Sequence, residues 1–178
     1  PRSISMSDGI PLKQVPPVLS RSLGDQHAMG NPHVWADPYH VRTMAATLRD
    51  ALVDALPAHA AEITARHAEF HTALTRALVG WLTEFRALKG TPVVSYHQSY
   101  TYLLERLGLD NVATLEPKPR VVPTVSHMEQ LVETMKAREV TLILGEPWQF
   151  PEPAEFVAER TGADILVIST HPGWPEGT

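Results

Sequence analysis

At residues 92–97 the chain reads Pro-Val-Val-Ser-Tyr-His, and here its pattern changes from long helices to short apolar runs. Residues 92–95 are predicted to form a buried strand. Equally short apolar runs follow at 112–115, 141–144 and 165–168, with helical patterns between them. Strands that alternate with helices form a parallel sheet covered by those helices. The sequence therefore predicts an α/β fold from residue 90 onward.

Two helical patterns precede this region. Asp37-Pro38 is typical of a helix start, and the apolar periodicity predicts a helix from there to Leu56. A second, longer helix is predicted from 58 to 88, with an apolar stripe that faces a core. At about 1.5 Å per residue it would be roughly 45 Å long, enough to link two lobes. Residues 1–37 are predicted to be irregular, with one short strand near Ile4–Met6.

The composition restricts the chemistry. The 178 residues include nine His and no Cys, and the formal net charge is −5. Without Cys, neither a disulfide scaffold nor a thiolate metal site is possible, so any metal ligands must be His with Asp or Glu. The acidic balance argues against a nucleic-acid partner, which would need a basic surface. No apolar run approaches the ~18 residues of a membrane span.

Polar side chains follow three of the predicted strands. His97 comes after the strand at 92–95, Glu146 after 141–144, and His171 after 165–168. Ligands of such sheets bind outside the carboxyl ends of the strands, so these side chains are candidates for one site. His33 is a fourth candidate, in the loop before the first long helix. Imidazole is the commonest metal ligand in proteins.

Several motifs resemble one family, the zinc- and manganese-specific solute-binding proteins of ABC transporters. The strongest is Asn-Pro-His-Val-Trp-Ala-Asp-Pro at 31–38, followed by the strand-end histidine in Val-Val-Ser-Tyr-His-Gln-Ser-Tyr at 93–100. Weaker similarity lies at 22–30, 115–119, 143–147 and 159–163, in the expected order. The resemblance extends over about residues 1–171.

The resemblance implies two α/β lobes joined by a long backbone helix, with a metal ion in the cleft between them. His33 would be a ligand from the first lobe and His97 from the second, with a further ligand His near the start of the first lobe. Many members carry an acid after the last strand, where this chain has His171, so the fourth ligand could be His171, water or Glu146. A histidine at position 97, where manganese-binding members often have Glu, favours zinc over manganese.

The same resemblance implies a domain division and a cellular role. Residues 1–56 would be the end of the N-terminal lobe, 57–89 the linking helix and 90–178 the C-terminal lobe. The chain begins at Pro1 without a signal peptide, and we expect it to be a piece of a longer protein that lacks most of its first lobe. The whole protein would be a monomeric, non-catalytic, periplasmic or extracytoplasmic zinc-binding protein. It would deliver its ion to an ABC-transporter membrane permease.

Two other functions fit the same residues. In a zinc hydrolase, His33 and His97 with a third ligand would hold the ion, and Glu146 would be the general base. The third possibility is an adhesin or metal-buffering domain on the same fold. His67 and His71 have the i,i+4 spacing of a helical metal site, but a packing or solvated role is favoured. His27 is interpreted as a solvated loop residue. Because ligand imidazoles must be neutral, metal binding is expected to weaken below about pH 6.

Overall fold

The computed structural model describes residues 3–20, 24 and 27–171. These residues form a four-stranded parallel sheet in the order β2-β1-β3-β4. The parallel α/β fold predicted from the sequence is confirmed. The strands are β1 (Pro92–Ser95), β2 (Asp110–Thr114), β3 (Leu142–Gly145) and β4 (Asp164–Val167).

Helices surround and precede the sheet. Each of α3, α4 and α5 follows a strand that it helps to cover, and each lies close to the position predicted. The helices are α1 (Pro38–Ala55), α2 (Ala60–Phe85), α3 (Thr101–Leu107), α4 (Val125–Ala137) and α5 (Pro151–Thr161).

The core lies on both faces of the sheet. Val93 and Val94 are adjacent on β1, and both are fully buried. Successive side chains of a strand point to opposite faces, so Val94 packs with the cluster under α4 and α5, and Val93 packs with Tyr100 and Leu104 on the α3 side. A strand buried on both faces reads as an uninterrupted apolar run, which is the pattern that predicted it.

Local signals place the helix ends where the sequence predicted them. Asp37 caps α1, because its Oδ1 accepts a hydrogen bond from the Tyr39 backbone N–H at 2.9 Å. Gly108 and Gly162 end α3 and α5 with φ angles of 71° and 74°, a left-handed conformation that glycine adopts without strain.

The short strand predicted near Ile4–Met6 is wrong. The described residues of this segment form turns, with the Ile10 N–H donating to the Ser7 carbonyl at 3.0 Å. Ile10 is buried and packs with Val34 and Tyr102. Ile4 itself is 46% exposed. A three-residue alternation of apolar and polar side chains does not show that a partner strand lies beside it, which is why the local pattern was misleading.

The apolar stripe of the long helix also departs from its prediction. The helix itself is present, as 26 residues of α-helix with a 3-10 turn on each side at Pro57–His59 and Arg86–Leu88. Among the described residues, however, α1 has no fully buried side chain and α2 has only Leu78. Periodicity shows which face of a helix is apolar but not what covers it. The exposed members of the stripe on α2 are Phe70, Trp81 and Phe85.

Helices α1 and α2 contact each other, and a groove of about 480 Å³ runs between them. The division of the chain at residues 56 and 89 into two lobes and a linker stays a prediction. Within the described part of the chain, no helix combines the length and apolar character that crossing a bilayer requires.

A buried ion pair joins α1 to the helix that follows β1. The Asp37 side chain is 1% exposed, and its Oδ2 accepts a hydrogen bond from Arg106 Nε of α3 at 3.1 Å. The Arg106 guanidinium also lies over the Tyr39 ring, 4.4 Å from its centroid. One carboxylate therefore caps α1 and fixes it against the sheet domain.

Replacing Asp37 with Ala is expected to lower the free energy of unfolding by roughly 2–4 kcal/mol, because a helix cap and a charge-assisted hydrogen bond are both lost. Asp37→Asn, which keeps an acceptor for the cap, should cost less. Urea denaturation measures both. The control is Asp50→Ala on the same helix, where the carboxylate is 68% exposed and the change should be within about 0.5 kcal/mol. Equal losses for Asp37→Ala and Asp50→Ala would contradict the argument.

Candidate metal centre

The structure brings His33 and His97 together. Their ring centroids are 5.3 Å apart, and the rings meet edge to face at 76°. His97 lies two residues beyond the carboxyl end of β1, and His33 precedes the 3-10 turn Val34–Ala36 that leads into α1. Two residues that are 64 positions apart in the sequence thus form one pair of imidazoles at the edge of the sheet.

Asn31 fixes the orientation of His33. Its Oδ1 accepts from the His33 backbone N–H at 2.9 Å and lies 2.8 Å from His33 Nδ1. The amide orientation follows from Nδ2, which faces three acceptors, on Gln14, Gln98 and Thr101. Because Oδ1 can only accept, His33 Nδ1 carries the proton, and Nε2 is left as the unprotonated nitrogen of the neutral ring.

Glu116 does the same for His97. Its Oε2 lies 2.6 Å from His97 Nδ1, and both side chains are largely buried. An ionised carboxylate only accepts hydrogen bonds, so Nδ1 of His97 is the donor, which in a neutral ring leaves Nε2 as the nitrogen able to bind a metal ion. The site therefore contains two neighbouring imidazoles, each held through Nδ1, with Nε2 left as the nitrogen that can bind a metal ion.

Burial keeps the His33 ring neutral. Desolvation, reinforced by the neighbouring His97, His27 and His171, lowers the pKa of His33 from 6.5 to about 4. Protons therefore compete for His33 only in strongly acidic solution. The loss of binding expected below about pH 6 cannot come from this residue.

His171 contacts two indole rings, and one of them, Trp35, also contacts His33. Its ring centroid is 6.2 Å from that of Trp35 and 4.8 Å from that of Trp148, and Trp35 in turn lies 5.4 Å from His33. The Trp35 Nε1–H donates to the Thr170 carbonyl at 3.1 Å, which joins the His33 loop to the segment after β4. His33, His97 and His171 all line one open cavity of about 820 Å³.

Glu146 lines the same cavity, but its carboxylate is already engaged. The residue is 5% exposed, and its Oε1 accepts from Thr170 Oγ1 at 2.7 Å. Its Oε2 accepts from Ser99 Oγ at 2.5 Å and Gln149 Nε2 at 3.0 Å. These bonds tie together the segments that follow three of the strands, and they hold Thr170, the neighbour of His171, in place.

The described residues do not form a completed metal site. Among residues 3–20, 24 and 27–171, no group of three or more His, Asp or Glu side chains is arranged to hold a metal ion. His27 lines a second cavity, of about 320 Å³, which it shares with His33 and His97. His67 and His71 lie elsewhere, on α2, where Arg42 donates to His71 Nε2 at 3.2 Å.

Two residues of the site were missed in the sequence, and one of them had a usable signal. Glu116 comes after β2 just as His97 comes after β1, so the rule that strand ends carry ligand contacts applies to it equally. Asn31 had no signal beyond its place in the motif, since its role depends on partners at positions 14, 98 and 101.

The chain matches one known protein family over almost its whole length. Residues 2–176 match the family model of ZnuA, described as zinc-uptake complex component A, periplasmic. The chain belongs to the ZnuA family. Among curated relatives, it is 26% identical over 139 residues to the high-affinity zinc uptake system protein ZnuA of Brucella abortus, covering 76% of this chain and 41% of the relative. It is 24% identical over 158 residues to the iron-binding protein YfeA of Yersinia pestis, covering 84% of this chain and 50% of the relative.

Solved structures of other proteins share this fold. The laminin-binding adhesin Lmb of Streptococcus agalactiae, in a mutant form, matches with a TM-score of 0.80 at 22% identity, over 97% of this chain and 62% of that one. A crystal structure of ZnuA matches with a TM-score of 0.76 at 23% identity, over 94% of this chain and 61% of that one. The chain thus spans about half the length of the curated ZnuA-family relatives. Family membership confirms the resemblance to metal-binding solute-binding proteins. That family is a transport family and not an enzyme family.

The lowered pKa of His33 predicts a pH-dependent stability for the metal-free protein. Between pH 6.5 and about 4 the unfolded chain binds a proton at His33 that the folded chain does not, so the free energy of unfolding falls as the pH falls through this window. His33→Gln should remove this part of the slope, measured by urea denaturation at several pH values. His59→Gln, at a residue whose side chain is 64% exposed, is the control and should leave the slope unchanged. An unaltered slope in His33→Gln would contradict the prediction.

Proposed function

We propose that this chain is part of an extracytoplasmic, periplasmic-type protein that captures zinc as cargo and delivers it to the membrane permease of an ABC transporter. The observation that carries the proposal is the His33–His97 pair, in which each Nδ1 is hydrogen-bonded to a side-chain oxygen. Two imidazoles from separate parts of the chain, each with Nε2 left for a metal ion, form the centre of a site that can bind a divalent ion.

The donor set favours zinc. Imidazole suits Zn²⁺, whereas carboxylate-rich sites suit Mn²⁺, and His97 supplies a nitrogen. The family description and the Brucella relative both name zinc uptake, while the Yersinia relative is named for iron. We therefore propose zinc as the cargo and manganese or iron as competitors that bind more weakly.

We propose His171 as the third ligand, moving toward the pair when the ion binds, because the described side chains do not present three ligands to one point in this structure. It lies beyond the carboxyl end of β4, lines the same cavity as the pair and contacts Trp35, the indole beside His33. Glu146 is better suited to holding this segment through Thr170 than to binding the ion itself, because its oxygens already accept three hydrogen bonds. The same bonds argue against Glu146 as the general base of a zinc hydrolase.

Zinc in proteins usually takes four ligands in a tetrahedral arrangement. We expect the fourth from a first-lobe histidine, in the part of the relatives that this chain does not span, or from water. Binding by this chain alone should accordingly be weaker than binding by a relative of full length. We further propose that the whole protein is a monomer that binds its ion without chemical turnover.

Zinc titration at pH 7.5 in competition with a chromogenic chelator tests the ligand set. His33→Ala and His97→Ala should each weaken zinc binding by roughly 100-fold or more, about 2.8 kcal/mol, because each removes a direct ligand. His171→Ala should have a clear but smaller effect, since this side chain is exposed and farther from the pair. Competition with Mn²⁺ and Fe²⁺ in the wild-type chain measures the preference.

His67→Ala is the matched control, a histidine on α2 that lies outside the cavity, and it should bind zinc as the wild type does. Wild-type affinity in His97→Ala would contradict the proposed site. Tighter binding of Mn²⁺ than of Zn²⁺ would contradict the proposed cargo. Rapid hydrolysis of ester or peptide substrates by the zinc-loaded protein, lost in Glu146→Gln, would favour the hydrolase.

A further inference from the structure

Glu116 is built into the end of the sheet beside His97. The ladder between β1 and β2 continues past the strands, with the Leu115 N–H donating to the Ser95 carbonyl at 2.9 Å and the Glu116 N–H donating to the Tyr96 carbonyl at 3.0 Å. These backbone bonds fix the spacing between residues 97 and 116. The two side chains therefore meet because the main chain holds them there, and not through a chance surface contact.

A backbone hydrogen bond also holds the Glu116 carboxylate in place. The same oxygen that contacts His97, Oε2, accepts from the Arg120 backbone N–H at 3.0 Å. Arg120 reaches this position with a φ of 60°, a left-handed conformation that is uncommon for a residue with a side chain. The turn from 117 to 120 thus adopts an unfavourable backbone angle while directing an N–H at the carboxylate, a pattern found where local strain serves a site.

We propose that Glu116 is a positioning residue for metal capture, acting through His97. Because the carboxylate only accepts, it holds the proton of the neutral His97 ring on Nδ1, leaves Nε2 for the ion and fixes the ring before any ion arrives. Without it, the ring could rotate and carry its proton on either nitrogen, and only part of the population would be ready to bind. This inference rests on the proposed function, since it assigns His97 as a ligand.

A carboxylate could also favour a cation simply through its charge. Glu152 lines the same cavity on the exposed side and is the natural comparison, because Glu152→Gln removes one negative charge without touching His97. A general charge effect would appear equally in both variants. A positioning effect would appear only at residue 116.

The first measurement requires no metal. Nitrogen-15 NMR of the imidazole rings in the zinc-free protein reports which nitrogen carries the proton. In the wild type, both His97 and His33 should be protonated on Nδ1. In Glu116→Ala and Glu116→Gln, His97 should become a mixture of tautomers, while His33, held by Asn31, should not change and is the internal reference. Circular dichroism and urea denaturation establish that each variant is folded, and the Gln variant preserves the side-chain volume if the Ala variant does not fold.

The second measurement is zinc affinity by chelator competition at pH 7.5. Glu116→Ala and Glu116→Gln should weaken zinc binding about 10- to 100-fold, the range usual for a residue that orients a metal-binding histidine. Glu152→Gln should change it less than about 3-fold, or roughly 0.7 kcal/mol. Glu116→Asp, which keeps the charge on a shorter side chain, should recover part of the loss.

The outcomes separate this inference from the function on which it rests. If the wild type fails to bind zinc, the proposed function fails, and the NMR arm alone decides whether Glu116 sets the tautomer of His97. An unchanged His97 tautomer in folded Glu116→Gln would overturn the inference, even with zinc binding intact. Equal losses of affinity in Glu116→Gln and Glu152→Gln would overturn it as well, because they would show an effect of charge alone.

Discussion

The hydrogen bonds of the buried Asn31 side chain are the interactions on which the site depends. A polar side chain that is 6% exposed must find partners for its donors and its acceptor, since an unsatisfied buried group costs about 1–3 kcal/mol. Its Nδ2 reaches the Gln98 carbonyl at 2.8 Å and Thr101 at 3.2 Å, and its backbone carbonyl accepts from the Tyr102 hydroxyl at 2.7 Å. All three partners lie just after His97. The spacing of the His33–His97 pair is thus set by hydrogen bonds that do not involve either imidazole's Nε2.

The same arrangement recurs at each histidine of the cavity. His33 is oriented by Asn31 and His97 by Glu116, and His171 lies 3.2 Å from Thr170 Oγ1, which donates to Glu146. In each case a side-chain oxygen lies beside Nδ1 of the ring. For His171 that oxygen belongs to Thr170, which Glu146 in turn holds in place. Such contacts immobilise imidazoles before binding, which reduces the entropy lost when a metal ion is captured.

The helical part of the chain illustrates a different limit. The stripe that includes Phe70, Trp81 and Phe85 has the spacing of a buried face, but in the described residues these side chains are between 39% and 46% exposed. Amphipathic periodicity depends only on local sequence, whereas burial depends on what packs against the face. The helices, their ends and the four strands of the sheet were predictable because caps, glycine stops and apolar runs act within a few residues, whereas burial depends on distant parts of the chain.

The sequence by itself determined the parallel α/β fold, the caps and ends of its helices, the family, and the four candidate residues His33, His97, His171 and Glu146. These depend on local patterns and on motifs that can be read along the chain. Only the tertiary structure decided that His33 and His97 lie together, that Glu146 is engaged with Ser99, Thr170 and Gln149, and that Asn31 and Glu116 hold the rings. Those relationships join residues that are distant in sequence, and their geometry follows from strand register and from the hydrogen bonds that these buried polar side chains require.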